Sequence, residues 1–208
     1  SNVNESSPTI DTTSLTGIIQ ENANTNTVIY DVSASDLDIT DILTYSVSGT
    51  DASLVTIDSD DGEVRLKSSA NFETKNSYSF NVIATDPDGS SDTEAVTVSV
   101  NNVNEIPSIT SSATVTAAEN QANSSVLYTA TATDVDSGDN LTFSISGADS
   151  SYFTIDSDDG EVRLKASADY ETKSSYDFTV VATDDGLGAL SGSKAVVLNI
   201  SNMNDNPV

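Results

Sequence analysis

A chain that spells the same twelve residues twice constrains its own fold. "TIDSDDGEVRLK" occupies residues 56–67 and again residues 154–165. The correspondence runs outward at a fixed offset of 98, pairing Glu21 with Glu119, Asp36 with Asp134, Glu73 with Glu171 and Asp86 with Asp184. A tetrapeptide of the form Asn-x-Asn-acid also recurs, at Asn2-Val3-Asn4-Glu5, Asn102-Val103-Asn104-Glu105 and Asn202-Met203-Asn204-Asp205, with Pro8, Pro107 and Pro207 following. The 208 residues therefore divide into two units, expected at 1–104 and 105–208, each long enough for a modest core of its own. The second copy gains two residues within "DDGLGALSGS", a Gly- and Ser-rich stretch of the kind that tolerates insertion.

Within each unit the apolar period is two. Tyr78, Phe80, Val82 and Ala84 alternate with polar neighbours, and Tyr176, Phe178, Val180 and Ala182 repeat the pattern. Val96, Val98 and Val100 form a second run, and Leu43, Tyr45 and Val47 a third. Such runs, separated by Asp, Gly and Ser clusters, predict an all-β sandwich of about seven strands per unit. No window carries a helical period. The repeated dodecamer predicts a hairpin, with Ile57 and Val64 flanking Ser59-Asp60-Asp61-Gly62 and the Asp-Gly pair suiting positive φ. It is not a helix-loop-helix calcium loop, because Gly62 is fifth from Asp58 and the twelfth position is Ser69.

Charge narrows the partners. Thirty-three acidic residues face seven basic ones, for a formal net charge of −26. Nucleic acid and anionic membrane surfaces are poor partners for such a chain. With no Cys and no His, disulfides, thiolate sites and imidazole chemistry are excluded. No apolar run reaches transmembrane length, no leader pattern opens the chain, and the sequence reads as a piece of a longer exported protein.

Ten acids outside the hairpin fall at strand ends: Glu21, Asp36, Asp38, Glu73 and Asp86, then Glu119, Asp134, Asp136, Glu171 and Asp184. They lie within an acid-Asn pair, an Asp-x-Asp, an Asn/Asp-x-Glu and an Ala-x-Asp, in that order in each copy, and the Asn-x-Asn-acid linker follows. The whole set resembles the cadherin repeat family, and the short Asn-Val-Asn-Glu linkers resemble its bacterial members. The resemblance implies two tandem seven-stranded Greek-key β-sandwiches of the cadherin/immunoglobulin-like class, with calcium bound between successive domains. Carried over by position, it implies Glu21, Asn71, Glu73, Asn102, Asn104 and Glu105 as one half of the central ligand set. Asp134, Asp136 and Asp184 form the other half, with a carbonyl near Asn140. A second, partial set is Asn2, Asn4, Asp36, Asp38 and Asp86, expected to hold one ion. A third, expected to bind more weakly, is Glu119, Asp169, Glu171, Asn202, Asn204 and Asp205. All of these are oxygen donors, which suits calcium better than zinc or magnesium. Asn71 and Asn102 stand where the family has Asp, and Ile106 replaces a linker Asn, so two or three ions are expected at the centre.

The expected function is a calcium-stiffened extracellular or cell-surface structural and adhesion module. Its partners are calcium, neighbouring repeats of the parent chain and another surface protein. The alternative is a carbohydrate-binding module with a polysaccharide partner. Against it, the chain has no Trp, and only Tyr152 and Phe153 lack an aromatic counterpart in the other copy. No nucleophile or acid–base constellation points to an enzyme.

Overall fold

The structure is a computed structural model and describes residues 6–204 apart from Thr13 and Ile39. The chain divides between Val103 and Asn104 into two compact units. In the first, the strands are β1 (Thr9–Ile10), β2 (Thr16–Gln20), β3 (Val28–Asp31), β4 (Ala34–Ser35), β5 (Thr44–Ser48), β6 (Val55–Ile57), β7 (Glu63–Leu66), β8 (Ser77–Thr85) and β9 (Ser91–Asn101). The second unit repeats them as β10 (Ser108–Ile109), β11 (Thr114–Ala118), β12 (Tyr128–Thr129), β13 (Ala132–Thr133), β14 (Thr142–Ser146), β15 (Phe153–Ile155), β16 (Glu161–Leu164), β17 (Ser175–Thr183) and β18 (Ser191–Ser201).

The expected seven strands become nine segments because the first two are broken. β1 pairs antiparallel with β4, whereas β2 lies parallel to β9 in a four-stranded sheet ordered β2-β9-β8-β5. The chain thus uses one stretch to serve two sheet edges. β3 joins a three-stranded sheet ordered β3-β7-β6, with a bulge between Val28 and Tyr30. Bulges of this kind bend a strand and end its pairing. Three-residue 3-10 turns, Ala52–Leu54 and Ser150–Tyr152, are too short to leave a period in the sequence.

The alternation read from the sequence is the alternation of burial. Tyr78, Phe80, Val82 and Ala84 on β8 point into the first core, as do Val96, Val98 and Val100 on β9. The edge strand β5 contributes Tyr45 and Val47, only half-buried, at the margin of that core. The second core repeats this around Phe178, Val180 and Leu198, with Phe153 packed 4.6 Å from Phe178 between ring centroids. Each unit has its own cluster of buried residues.

The hairpin forms as expected, with Ile57 opposite Val64. Gly62 closes the turn at φ +79°, and a Cβ there would collide with the carbonyl of Val32, so a side chain is excluded twice over. Asp58 Oδ1 accepts the N–H groups of Asp60 and Asp61 at 2.9 and 3.3 Å, which holds its carboxyl below its ordinary pKa. The turn acids therefore serve local geometry.

Candidate metal centre

One pole of each unit is built around a buried glutamate. Glu21, directly after β2, is 2% exposed, and Glu119 after β11 is 3% exposed. The following Asn22 and Asn120 take φ of 58° and 61°, the left-handed region that Asn tolerates better than most residues. Glu21 accepts the N–H of Phe72 at 2.9 Å and of Val103 at 2.7 Å; Glu119 accepts those of Tyr170 at 2.8 Å and Met203 at 2.7 Å. Each carboxylate thereby staples the Asn/Asp-x-Glu turn to the segment leaving the last strand. One carboxylate oxygen of Glu21 lies within 4.8 Å of one of Glu73, and the same holds among Glu119, Asp169 and Glu171.

Asn71 and Asp169 do the same local work. Asn71 Oδ1 accepts the N–H of Thr74 at 2.7 Å, and Asp169 Oδ1 that of Thr172 at 3.1 Å. Asp169 also accepts the hydroxyl of Thr172 at 2.8 Å. The Asn-for-Asp difference therefore leaves the turn intact and removes one charge. Asn202 donates to Glu171 Oε1 at 2.7 Å, and Asn102, Asn202 and Asn204 are all exposed.

The opposite pole of each unit gathers aspartates. In the second, Asp134 Oδ1 accepts the N–H of Asp136 at 3.0 Å, and Asp136 accepts the N–H of Glu105 at 2.7 Å. Asp184 accepts the side-chain amide of Asn104 at 3.1 Å. Asn140 is held by Asp185, through its N–H and its side-chain amide. In the first unit, Asp36 and Asp38 share the hydroxyl of Ser6 at 2.8 and 3.1 Å, and Asp86 accepts the N–H groups of Asp88 and Ser90, both at 2.9 Å. Asp36, Asp38 and Asp41 line a hollow of about 510 Å³ together with Asp60 of the hairpin. The hairpin turn thus borders the aspartate pole, which its sequence did not reveal. Asn2, Asn4 and Asp205 lie outside the described residues.

Three acids at these poles escaped the sequence reading: Asp41, Asp139 and Asp185. The first two were legible in principle, since they sit at the same offset of 98. Partial burial, then repulsion from Asp136, Asp185, Asp184 and Asp134, raises the Asp139 carboxyl above its ordinary pKa. Burial followed by Asp38, Asp36, Asp86 and Asp88 does the same to Asp41.

No basic side chain relieves that repulsion. All seven are engaged elsewhere: Arg65 with Glu63, Arg163 with Glu161, Lys75 with Asp51, Lys173 with Asp149, and Lys67, Lys165 and Lys194 with backbone carbonyls. The Oδ2 atoms of Asp36, Asp134 and Asp184 are buried without a hydrogen-bond partner among the described residues. Buried carboxylate oxygens without a hydrogen bond or a counter-charge suit a hard divalent cation.

The family model for the cadherin domain matches residues 16–101 and 113–201. The chain belongs to the cadherin domain family. Protocadherin Fat 4 of Homo sapiens is 33% identical over 199 residues, which is 91% of this chain and 4% of that protein. Cadherin EGF LAG seven-pass G-type receptor 2 of Mus musculus is 29% identical over 210 residues, 98% of this chain and 7% of that protein. The chain thus spans only 4–7% of the length of these two relatives. Among solved structures, human Protocadherin-24 EC1-2 (Form II) matches with a TM-score of 0.75 at 22% identity, covering 96% of this chain and all of that one. Mouse Cadherin-23 EC22-24 matches at 0.71 and 24%, covering 96% of this chain and 68% of that one. Likeness at these identities shows the fold. Cadherin repeats are extracellular adhesion modules and not enzymes, and this pair is extracellular or at the cell surface. Among the described residues, no helix is long and apolar enough to cross a membrane. Members of the family generally bind calcium between repeats.

Proposed function

We propose that this pair of cadherin repeats is a calcium-stiffened adhesion module. The central ligand set is Glu21, Asn71, Glu73 and Asn102 from the first repeat with Asn104, Glu105, Asp134, Asp136, Asn140 and Asp184 from the second. The observation that carries the reading is the set of buried, partnerless carboxylate oxygens on Asp134 and Asp184. Asp36 offers the same in the first repeat, beside Asp38 and Asp86, and supports a further site there. Glu119, Asp169, Glu171 and Asn202 supply half of a third.

The protein's own residues account for the switch. Two carboxylates about 4 Å apart repel by roughly 4 kcal/mol at an effective dielectric of 20. The buried glutamates and the aspartate loops are held in place by backbone N–H groups, so they cannot swing away to relieve it. Bound calcium supplies the positive charge that cancels this repulsion. Without it, the short segment "NNVNEIP" offers little apolar surface to hold two repeats in a fixed arrangement.

Titration calorimetry with calcium and with magnesium tests the reading, alongside small-angle scattering with and without EDTA. Calcium-selective uptake on the order of 0.1–1 mM is expected, together with a narrower range of dimensions in calcium. No uptake at several millimolar calcium would overturn it. The carbohydrate reading is left with one exposed aromatic of the two: Phe153 is buried, and Tyr152, 48% exposed, packs T-shaped with Tyr176, 5.4 Å between centroids.

A further inference from the structure

Resting on the calcium reading above, we propose that Asp139 is an additional calcium ligand of the second repeat, and Asp41 its counterpart in the first. Neither belongs to the Asp-x-Asp, Ala-x-Asp or linker positions that the resemblance supplied.

Asp139 closes a turn behind Asp136, donating its N–H to the Asp136 carbonyl at 3.5 Å. Its Oδ2 is buried and has no hydrogen-bond partner among the described residues. A glycine leaves the room this atom occupies. A Cβ on Gly186 would collide with both Asn104 Oδ1 and Asp139 Oδ2, so these two oxygens lie over the same bare backbone. The N–H of Gly186 in turn donates to Asp184 Oδ1 at 3.0 Å. Asp139 therefore faces the floor on which the buried Asp184 rests.

Asp184 is the independent pointer to a cation. It is only 4% exposed. Three donors reach it, from Gly186 at 3.0 Å and from Leu190 and Asn104 at 3.1 Å, and all three go to Oδ1. Its Oδ2 receives none. A carboxylate so deeply buried with one bare oxygen is costly unless something positive sits against it. Asp139 Oδ2, Asp134 Oδ2 and Asn104 Oδ1 are the further oxygens at that pole.

The first repeat repeats the turn, and Asp41 there lines one hollow with Asp36 and Asp38. Asp41 donates its N–H to the Asp38 carbonyl at 2.9 Å, and its Oδ2 is again buried and without a partner. Yet Thr40 stands opposite Gly138, Ile42 opposite Asn140, and Asp88 opposite Gly186. The acid and its bare oxygen persist while the residues around them change, which a turn requirement alone does not demand. The extra carboxylate also adds a charge to a ligand set in which Asn71 and Asn102 stand where the family has Asp. Ligand charge count is a main determinant of calcium affinity in all-oxygen sites.

Calorimetric titration of the whole chain with calcium chloride at fixed ionic strength tests the assignment. The variants are Asp139→Asn, Asp41→Asn and Asp139→Glu, with each melting temperature measured in EDTA. Asp139→Asn is expected to weaken one class of sites on the order of tenfold, and Asp41→Asn a different class. Neither should melt lower than wild type in EDTA, because each removes a repelling charge. Asp139→Glu, which keeps the carboxylate, should retain more affinity than Asp139→Asn. Wild-type isotherms from both Asn variants would overturn the proposal, and so would a lower melting temperature in EDTA that tracks the lost affinity. A wild-type chain that takes up no calcium would instead overturn the calcium reading on which the proposal rests.

Discussion

The Asp185 carboxylate accepts both the N–H and the side-chain amide of Asn140, at 2.8 and 2.9 Å. The pair ties the loop after β13 to the loop after β17, joining two segments more than forty residues apart. These hydrogen bonds from Asn140 hold the Asp185 carboxyl below its ordinary pKa. The first repeat has Pro87 and Ile42 at these places and no such tie. Asp185→Ala is therefore expected to weaken calcium on the order of tenfold, the usual scale for losing a group that orients ligands. Faster hydrogen exchange across residues 134–140 should accompany it. Unchanged affinity with unchanged exchange would show that the tie orients nothing.

Calcium should raise the melting temperature. With affinities of about 0.1–1 mM and calcium at about 5 mM, each ion adds roughly 1–2 kcal/mol by mass action. Scanning calorimetry in calcium against EDTA reads this directly, and magnesium at the same concentration should do less.

Asp136→Ala should behave like chelation, whereas Asp159→Ala should not. Asp136 is 6% exposed among the acids of its pole; Asp159 is exposed in the hairpin turn, donating its N–H to Asp156. Scattering in calcium is expected to show a broadened range of dimensions for the first variant and the wild-type profile for the second. Equal effects would assign the acids a merely local role.

Phe178 is 2% exposed and touches the rings of Tyr128 and Phe153 at 5.9 and 4.6 Å between centroids. Phe178→Ala should cost about 3–5 kcal/mol. Because each repeat has its own core, the loss should fall on the second alone. Two separate melting transitions in EDTA, with the first repeat's unchanged, is the expected result.

Acid should weaken one ion pair in each repeat. Asp51 accepts the N–H of Ser79 at 2.8 Å and meets Lys75 at 3.1 Å; these contacts, the backbone one first, hold its carboxyl below the ordinary value. A depressed pKa contributes stability above the unfolded value near 4, and that contribution is lost as pH falls through the folded value. The stability gap between wild type and Asp51→Asn, measured by urea melts in EDTA, should therefore be constant from pH 7 to about 5 and shrink below about 4. A gap that is flat down to pH 3 would contradict the assignment.

Much of the fold was legible because burial follows a period of two. Val82 and Val180 are fully buried where alternation put them, and Gly62 turns where the Asp-Gly pair said it would. The breaks between β1 and β2 and between β3 and β4 were not legible, since they arise from competition between two sheet edges and leave no local pattern. At the poles, motif positions marked Glu21, Asp134, Asp136 and Asp184. Asp139 and Asp41 went unnoticed because they look like loop polarity until their oxygens are seen to be buried. Asp185 had no signal at all, because its partner Asn140 lies 45 positions away.

The parallel pairing of β2 with β9 has a mechanical consequence. Thr16 lies beside Thr97 and Gln20 beside Asn101, with five residue pairs in register between them. A pull on the chain entering the repeat and a pull on the chain leaving it drag these strands in opposite directions along their length. The ladder is then loaded in shear, with its hydrogen bonds strained together instead of opening one after another from an end. In β11 and β18 the second repeat carries the same five-pair ladder. Tension transmitted through the chain meets one such clasp in every repeat.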